Sequence, residues 1–408
     1  LNKQKGKPVF LFFLIFFAMA GSISGYISLR ILSRFDIGRM WKIAIAFGIL
    51  FIIFIPPLNI LLGRSGIDYN GIRFLIGAGY IGFGFLSFVL TFAVFRDLLW
   101  LPLGIIHKMR ALVRASALTR KAPDAIDDLS RRGFLVRATS CGIVAAAALS
   151  TGVGVVEACR IPEVKEVTVP ILHLPRGFEG FRIVQITDLH VNPTFQRPPV
   201  QGVVEVVNHL SAHIVVLTGD LVDGSVDQIS NKVAPLKRIK SAYGKFFVTG
   251  NHEYYSGVLE WIEELKRLGF TVLLNEHRII TRDRDKMLLA GVTDYRGGGD
   301  GLPNHRSDPH KALAGSPPSA IKVLLAHQPK SIFEAAHAGY DFQISGHTHG
   351  GQFIPWPLLV ALSQPYISGL HKHKDTQIYV SRGTGYWGPP VRVGAPSEIT
   401  LLRLTSAG

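Results

Sequence analysis

The chain has 408 residues, 48% of them hydrophobic, and a formal net charge of +15. That length accommodates more than one domain, and two cysteines, Cys141 and Cys159, exclude a disulfide-built scaffold. The charge is concentrated: residues 1–137 hold 18 Lys+Arg against 6 Asp+Glu, a net of +12, and the remainder holds 26 against 23, a net of +3. The basic excess therefore flanks apolar spans, and no nucleic-acid partner is expected.

In chain order, Pro8–Leu29, Met40–Leu62 and Phe74–Phe95 are apolar stretches of bilayer-spanning length. Together they define a transmembrane region over 1–106. Pro56-Pro57 is expected to kink or end the second helix. Residues 107–137 form a basic loop carrying Lys108, Arg110, Arg114, Arg120, Lys121, Arg131, Arg132 and Arg137. A weaker apolar run over 138–158 is a fourth span or signal-like segment. With four spans, the positive-inside rule puts the 107–137 loop in the cytoplasm and everything after Val156 outside it. Ser130-Arg131-Arg132-Gly133-Phe134-Leu135 resembles a twin-arginine export motif, which agrees with that orientation and implies the matching export machinery as a partner. Cys159 follows Val156-Glu157-Ala158, where Glu157 departs from a lipidation signal, so lipidation is not expected.

From residue 159 the pattern changes to alternating strands and helices. FRIVQIT (181–187) reads as a strand that delivers Asp188 and His190, and Pro198–Ser211 reads as a helix. HIVVLT (213–218) delivers Asp220, and KFFVT (245–249) delivers Asn251 and His252 ahead of an amphipathic helix over Ser256–Gly269. Ile321–Ala326 delivers His327, and Asp341–Ser345 delivers His347 and His349. Fourteen of the 15 histidines lie after residue 137, as a His-using site there requires. Carboxylate, amide oxygen and imidazole at successive strand ends suit Mn, Fe or Zn.

These blocks, Asp188-Leu189-His190, Gly219-Asp220, Gly250-Asn251-His252-Glu253, His327 and Gly346-His347-Thr348-His349, resemble the calcineurin-like metallophosphoesterase family, in its order, over roughly 165–405. Gly346–Gln352 and Arg382–Pro390 further resemble its YkuE-like branch. The resemblance implies a layered α/β/β/α fold, a β-sandwich flanked by helices, over residues 159–408. It implies two divalent ions, with Asp188, His190 and His349 on one, Asn251, His327 and His347 on the other, and Asp220 bridging both. It also implies a metal-bridging hydroxide that cleaves a phosphodiester, phosphomonoester or pyrophosphate, with His252 serving the leaving oxygen.

Other residues are read more simply. His209, His213 and His337 are surface or helix residues, and His371 and His373 are solvated in a polar loop. Asp223 reads equally as a support for the ligands or as a loop cap, and Glu253 as a helix cap or a partner orienting His252. Arg382 and Arg392 are candidates for a second phosphate. Asp294–Ser319 reads equally as a loop over the site or as disorder. Phe353–Leu362 reads equally as a segment meeting membrane or acyl chain and as one packed on its own domain. The expected protein is an enzyme of a bacterial inner membrane, with an extracytoplasmic catalytic domain and a phosphoester substrate. That substrate reads either as lipid-linked, because the enzyme is anchored, or as a soluble phosphodiester or nucleotide met by a merely tethered enzyme. The alternative, a non-catalytic membrane sensor or scaffold, predicts lost ligands, and all seven are present together with His252.

Overall fold

The computed structural model describes residues 6–65, 70–116, 125–193, 199–299, 302–317 and 321–407. The chain divides into two compact units, Leu1–Gly152 and Val153–Gly408.

The first unit contains helices α1 (Gly6–Arg30), α2 (Arg39–Ser65) and α3 (Arg73–Ser116), and most of α4 (Ala125–Cys159). All four contain stretches long and apolar enough to cross a membrane: Ile15–Arg34, Arg39–Asn59, Phe74–Pro102 and Gly133–Cys159. Pro56 and Pro57 do not end α2, which runs on to Ser65. Nor is 107–137 simply a loop, since α3 continues to Ser116 and α4 begins at Ala125. Asp97 accepts hydrogen bonds from Tyr26 Oη (2.6 Å) and Arg30 Nε (2.5 Å), and Arg96 Nη1 donates to Ser140 Oγ (3.3 Å). This polar cluster joins α1, α3 and α4, so Arg30, Arg96 and Asp97, three charges within the apolar stretches, are paired, as a low-dielectric setting requires.

The second unit opens with strands β1 (Glu163–Ile171), β2 (Arg182–Ile186), β3 (Ile214–Thr218), β4 (Lys245–Val248) and β5 (Thr271–Val272). There follow β6 (Glu276–Arg282), β7 (Asp285–Gly291), β8 (Ile321–Leu325), β9 (Phe342–Ser345), β10 (Gly369–His373) and β11 (Thr376–Val380), then β12 (Glu398–Ser406). Two six-stranded sheets result, in the orders β1-β12-β2-β3-β4-β5 and β10-β11-β9-β8-β7-β6.

Period-two alternation decides what each sheet faces. On β3, Ile214 and Val216 point into the core between the sheets, where they meet Met287, Leu289, Val323 and Ile344 of the other sheet. Val215 and Leu217 point outward, into a second core with helices α5 (Val200–His209), α6 (Val226–Val233) and, beyond the short α7 (Asn251–Ser256), α8 (Val258–Arg267). Behind the second sheet, Leu288, Ala290 and Leu324 pack against Ala312 of α9 (Pro309–Ala312) and Ala335 of α10 (Ile332–Ala338). The layers are therefore α/β/β/α, as expected, with central strands such as β3 and β9 buried on both faces because both are covered.

Local differences have local causes. The expected helix over Ser256–Gly269 is α8, and Gly257, at φ 93°, separates it from the additional short helix α7, on which Asn251 and His252 lie. In the stretch 294–319, the described residues include a turn of 3-10 helix (Pro303–His305) and α9, so the part described is ordered structure and not a bare loop. His371 and His373 lie on β10, and Tyr366 stacks on His371 with ring centroids 4.7 Å apart. His213 is half-buried, and its Nδ1 accepts from Arg182 N (2.8 Å).

Candidate metal centre

Strands β2, β3 and β4 are parallel neighbours in one sheet, and β8, β9 and β11 in the other. Their carboxyl-terminal ends therefore open on one edge of each sheet, where the loops carrying the predicted ligands meet. Asp188, His190 and His349 form one group of donor atoms, and Asp220, His327 and His347 a second. In the first, His190 Nε2 lies 3.0 Å from His349 Nε2, and Asp188 Oδ1 lies 3.6 Å from the same atom. In the second, His327 Nε2 lies 3.0 Å from Asp220 Oδ2 and 3.1 Å from His347 Nδ1. Asp220 Oδ2 is also 3.9 Å from His190 Nε2, so this carboxylate stands between the two groups. Asn251 Oδ1 is buried and has no hydrogen-bond partner among the described residues. An unmet buried acceptor costs about 1–3 kcal/mol, and a cation would satisfy it. The donor set fits two divalent ions.

Backbone conformation shapes this edge. Asp188, His190, Asp220, His347 and His349 all have φ between 47° and 72°, a region costing a residue other than glycine about 1–3 kcal/mol. That cost marks a site whose geometry the surrounding structure imposes. Two glycines allow the loops to close: a Cβ on Gly250 would fall onto Asp220 Oδ1, and one on Gly346 onto Asp188 Oδ2 and Thr187 Oγ1. The space those side chains would take is occupied by the Asp220 and Asp188 carboxylates and the Thr187 hydroxyl.

Partners behind the candidate ligands fix which ring nitrogen faces inward. His327 Nδ1 donates to Thr218 O (2.8 Å), leaving Nε2 for the centre. One oxygen of Asp223 accepts from both His190 Nδ1 (3.1 Å) and His252 Nδ1 (2.5 Å). Asp223 is thus a support for the site and not merely a loop cap. Glu253 accepts from Gly250 N (2.6 Å), Asp220 N (3.0 Å) and Leu221 N (2.7 Å), which caps α7 and ties the β3 and β4 loops together. The backbone N of His347 donates to Asp188 Oδ2 (3.0 Å).

Arg392 corrects an expectation. It is 1% exposed, and its guanidinium donates to Gly385 O, Ala395 O (2.8 Å), Arg382 O (2.8 Å) and His349 Nδ1 (3.1 Å). Its donors are spent on the Arg382–Ala395 loop and on His349, a candidate ligand, so it does not receive a phosphate. Arg382 is only half-buried.

Burial alone would raise the Asp220 carboxyl, but His327, His252 and His190 reverse that and hold it well below the usual carboxylate range. Burial likewise opposes a proton on His252, and Asp220 and Asp223 overcome it, lifting the ring to about 9. The His252 Nε2 lies 4.0 Å from Asp220 Oδ2, and its ring is flanked by Tyr255 and Trp387, with centroids 5.3 Å and 6.1 Å away.

Comparison with known proteins agrees with this centre. The sequence profile of the calcineurin-like phosphoesterase family matches residues 181–351. A transmembrane protein with a metallophosphoesterase domain from Danio rerio is 37% identical over 303 residues, covering 72% of this chain and 69% of that protein. An uncharacterized metallophosphoesterase of Helicobacter pylori is 41% identical over 254 residues, covering 62% and 66%. The Bacillus subtilis metallophosphoesterase YkuE is 31% identical over 291 residues, covering 68% of this chain and 98% of YkuE. The chain belongs to the calcineurin-like metallophosphoesterase family and carries its phosphoric-ester hydrolase domain.

Proposed function

We propose that the chain is a membrane-anchored, two-metal phosphoesterase that cleaves a phosphodiester or pyrophosphate bond of a lipid-linked substrate outside the cytoplasm of a bacterial cell. The observation that carries the chemistry is the buried Asp220 carboxylate standing between two groups of Asp and His donors. Two divalent ions, whether Mn, Fe or Zn, would supply Lewis acidity toward the phosphoryl oxygens and lower the pKa of a bound water.

The chain's own residues do the rest. Asp188, His190 and His349 would hold one ion and Asn251, His327 and His347 the other, with Asp220 reaching both. His252 holds a proton on Nε2 and donates it to the leaving oxygen, while its Nδ1–H stays on Asp223. Asp223 also sets the His190 tautomer, so one carboxylate aligns a metal ligand and the proton donor together. Tyr255 and Trp387 wall the proton donor on the open side.

The four apolar helices support the anchor. The basic residues of 107–137 and the twin-arginine-like Ser130–Leu135 support a cytoplasmic location for that segment, a catalytic unit on the opposite side, and export machinery as a partner. Full-length protein in detergent with Mn²⁺ should hydrolyse bis(p-nitrophenyl) phosphate faster than p-nitrophenyl phosphate. A faster rate on the monoester would overturn the diesterase reading. Protease added outside intact cells should reach the catalytic unit, and full protection there would reverse the orientation.

A further inference from the structure

The segment after the last metal ligand forms helix α11 (Trp356–Ser363), with sequence WPLLVALS and no buried residue. Exposed leucines are ordinary singly, but Leu358 is 72% and Leu362 85% exposed, with Leu359 and Ile354 beside them. A helix apolar on every side is normally enclosed by protein or lipid. This one is held firmly while projecting. At its start, Gly351 packs against the Pro357 backbone, and Phe353 is buried against the Trp356 ring. At its end, Gln364 Nε2 donates to Gln328 Oε1 (3.4 Å).

Two observations say what covers it. The second unit begins at Val153, inside the last apolar stretch of spanning length, and Gly154 O accepts from Arg392 N (2.9 Å). Val393 N then donates to Gln352 O (2.9 Å), at the foot of α11. The end of a membrane span, the ligand-supporting loop and α11 are thus linked by successive backbone hydrogen bonds. Gln352 also binds Trp387, accepting from its N and donating to its O, both at 3.0 Å, and Trp387, half exposed, faces His252.

We propose that α11, with Ile354 and Trp387, inserts into the surface of the bilayer in which the chain is anchored, and so sets the metal centre at headgroup depth. Tryptophan at the edge of an apolar surface suits that depth. That a membrane-borne ester reaches the metal centre at that depth rests on the phosphoesterase reading; the insertion itself does not.

The test uses full-length protein in vesicles of phosphatidylcholine and phosphatidylglycerol, with Cys141→Ser and Cys159→Ser. A single fluorophore is placed by Leu362→Cys, or by Leu259→Cys on α8 as the exposed control. Insertion predicts that nitroxide on the acyl chains quenches the Leu362→Cys label, and that iodide quenches it about fivefold less than the control. Quenching by iodide equal to the control, or shielding from both quenchers as in a contact between proteins, overturns the proposal. In parallel, Leu358→Ser/Leu362→Ser should lower hydrolysis of a vesicle-borne phosphodiester about tenfold and leave bis(p-nitrophenyl) phosphate turnover unchanged. Equal change on both esters overturns the access of a membrane-borne ester through α11. If the unsubstituted protein hydrolyses neither ester, the phosphoesterase reading fails, and the quenching still decides insertion.

Discussion

Asp223→Asn changes one atom at the point where two histidines share an oxygen. In the native protein Asp223 Oδ1 accepts from His190 Nδ1 at 3.1 Å and His252 Nδ1 at 2.5 Å. Hydrogen bonds to charged groups contribute about 1.5–3 kcal/mol each. The amide keeps the shape and can still accept, but it loses the charge that steadies a protonated His252. A loss of about 1.5–3 kcal/mol in the transition state corresponds to a ten- to hundredfold fall in kcat. KM should change little, because His252 serves the leaving oxygen and not the bound ester. The assay is steady-state hydrolysis of bis(p-nitrophenyl) phosphate by the full chain in detergent, with metal content and melting temperature measured beside it. Activity within twofold of wild type, at unchanged metal content, would refute the role of Asp223. So would a fall in kcat that tracks lost melting temperature.

Three further outcomes are expected. Gly346→Ala pushes a methyl onto Asp188 and Thr187, and should lose bound metal and about 1–3 kcal/mol of stability, read by metal analysis and chemical denaturation. Trp261→Ala empties a fully buried site and removes the bond from Nε1 to Gly224 O (2.9 Å), which should cost about 3–5 kcal/mol in the same denaturation assay. Burial, then Lys237, depresses the Lys245 ammonium from 10.5 to about 8. Below pH 8 both folded and unfolded chains carry this proton and the penalty is full. Between pH 8 and 10.5 the unfolded chain binds more protons, so stability rises with pH. Lys245→Met should flatten that rise, seen by melting the protein across the interval.

The clustering of the candidate donors was legible because each sits in a short block directly after an apolar strand, so chain-local pattern and three-dimensional placement coincide. The layered fold followed from the same alternation. What the sequence hid is carried by contacts between distant residues. Asp223 meets His190 across 33 positions and Arg392 meets His349 across 43. A Gly-Asp-x-x-Asp spacing was a signal for the first, whereas none marked the second, and its positive charge pointed instead to phosphate. The left-handed backbone at Asp188, His190, Asp220, His347 and His349 is imposed by the meeting of loops and leaves no trace in residue type. Phe353–Leu362 left two readings open because its apolar composition fits an interior equally well; only the exposure of α11 separates them. Pro56 and Pro57 failed to end α2, since neighbouring groups in a helical membrane bundle can meet what a proline leaves unbonded.

The most direct test of the central claim is the metal content and ester turnover of full-length protein, wild type against Asp220→Ala. The account predicts two divalent ions per wild-type chain, turnover abolished by chelation and restored by Mn²⁺, and loss of both in the variant. Turnover that survives chelation, or an Asp220→Ala chain that keeps two ions and full activity, would contradict it.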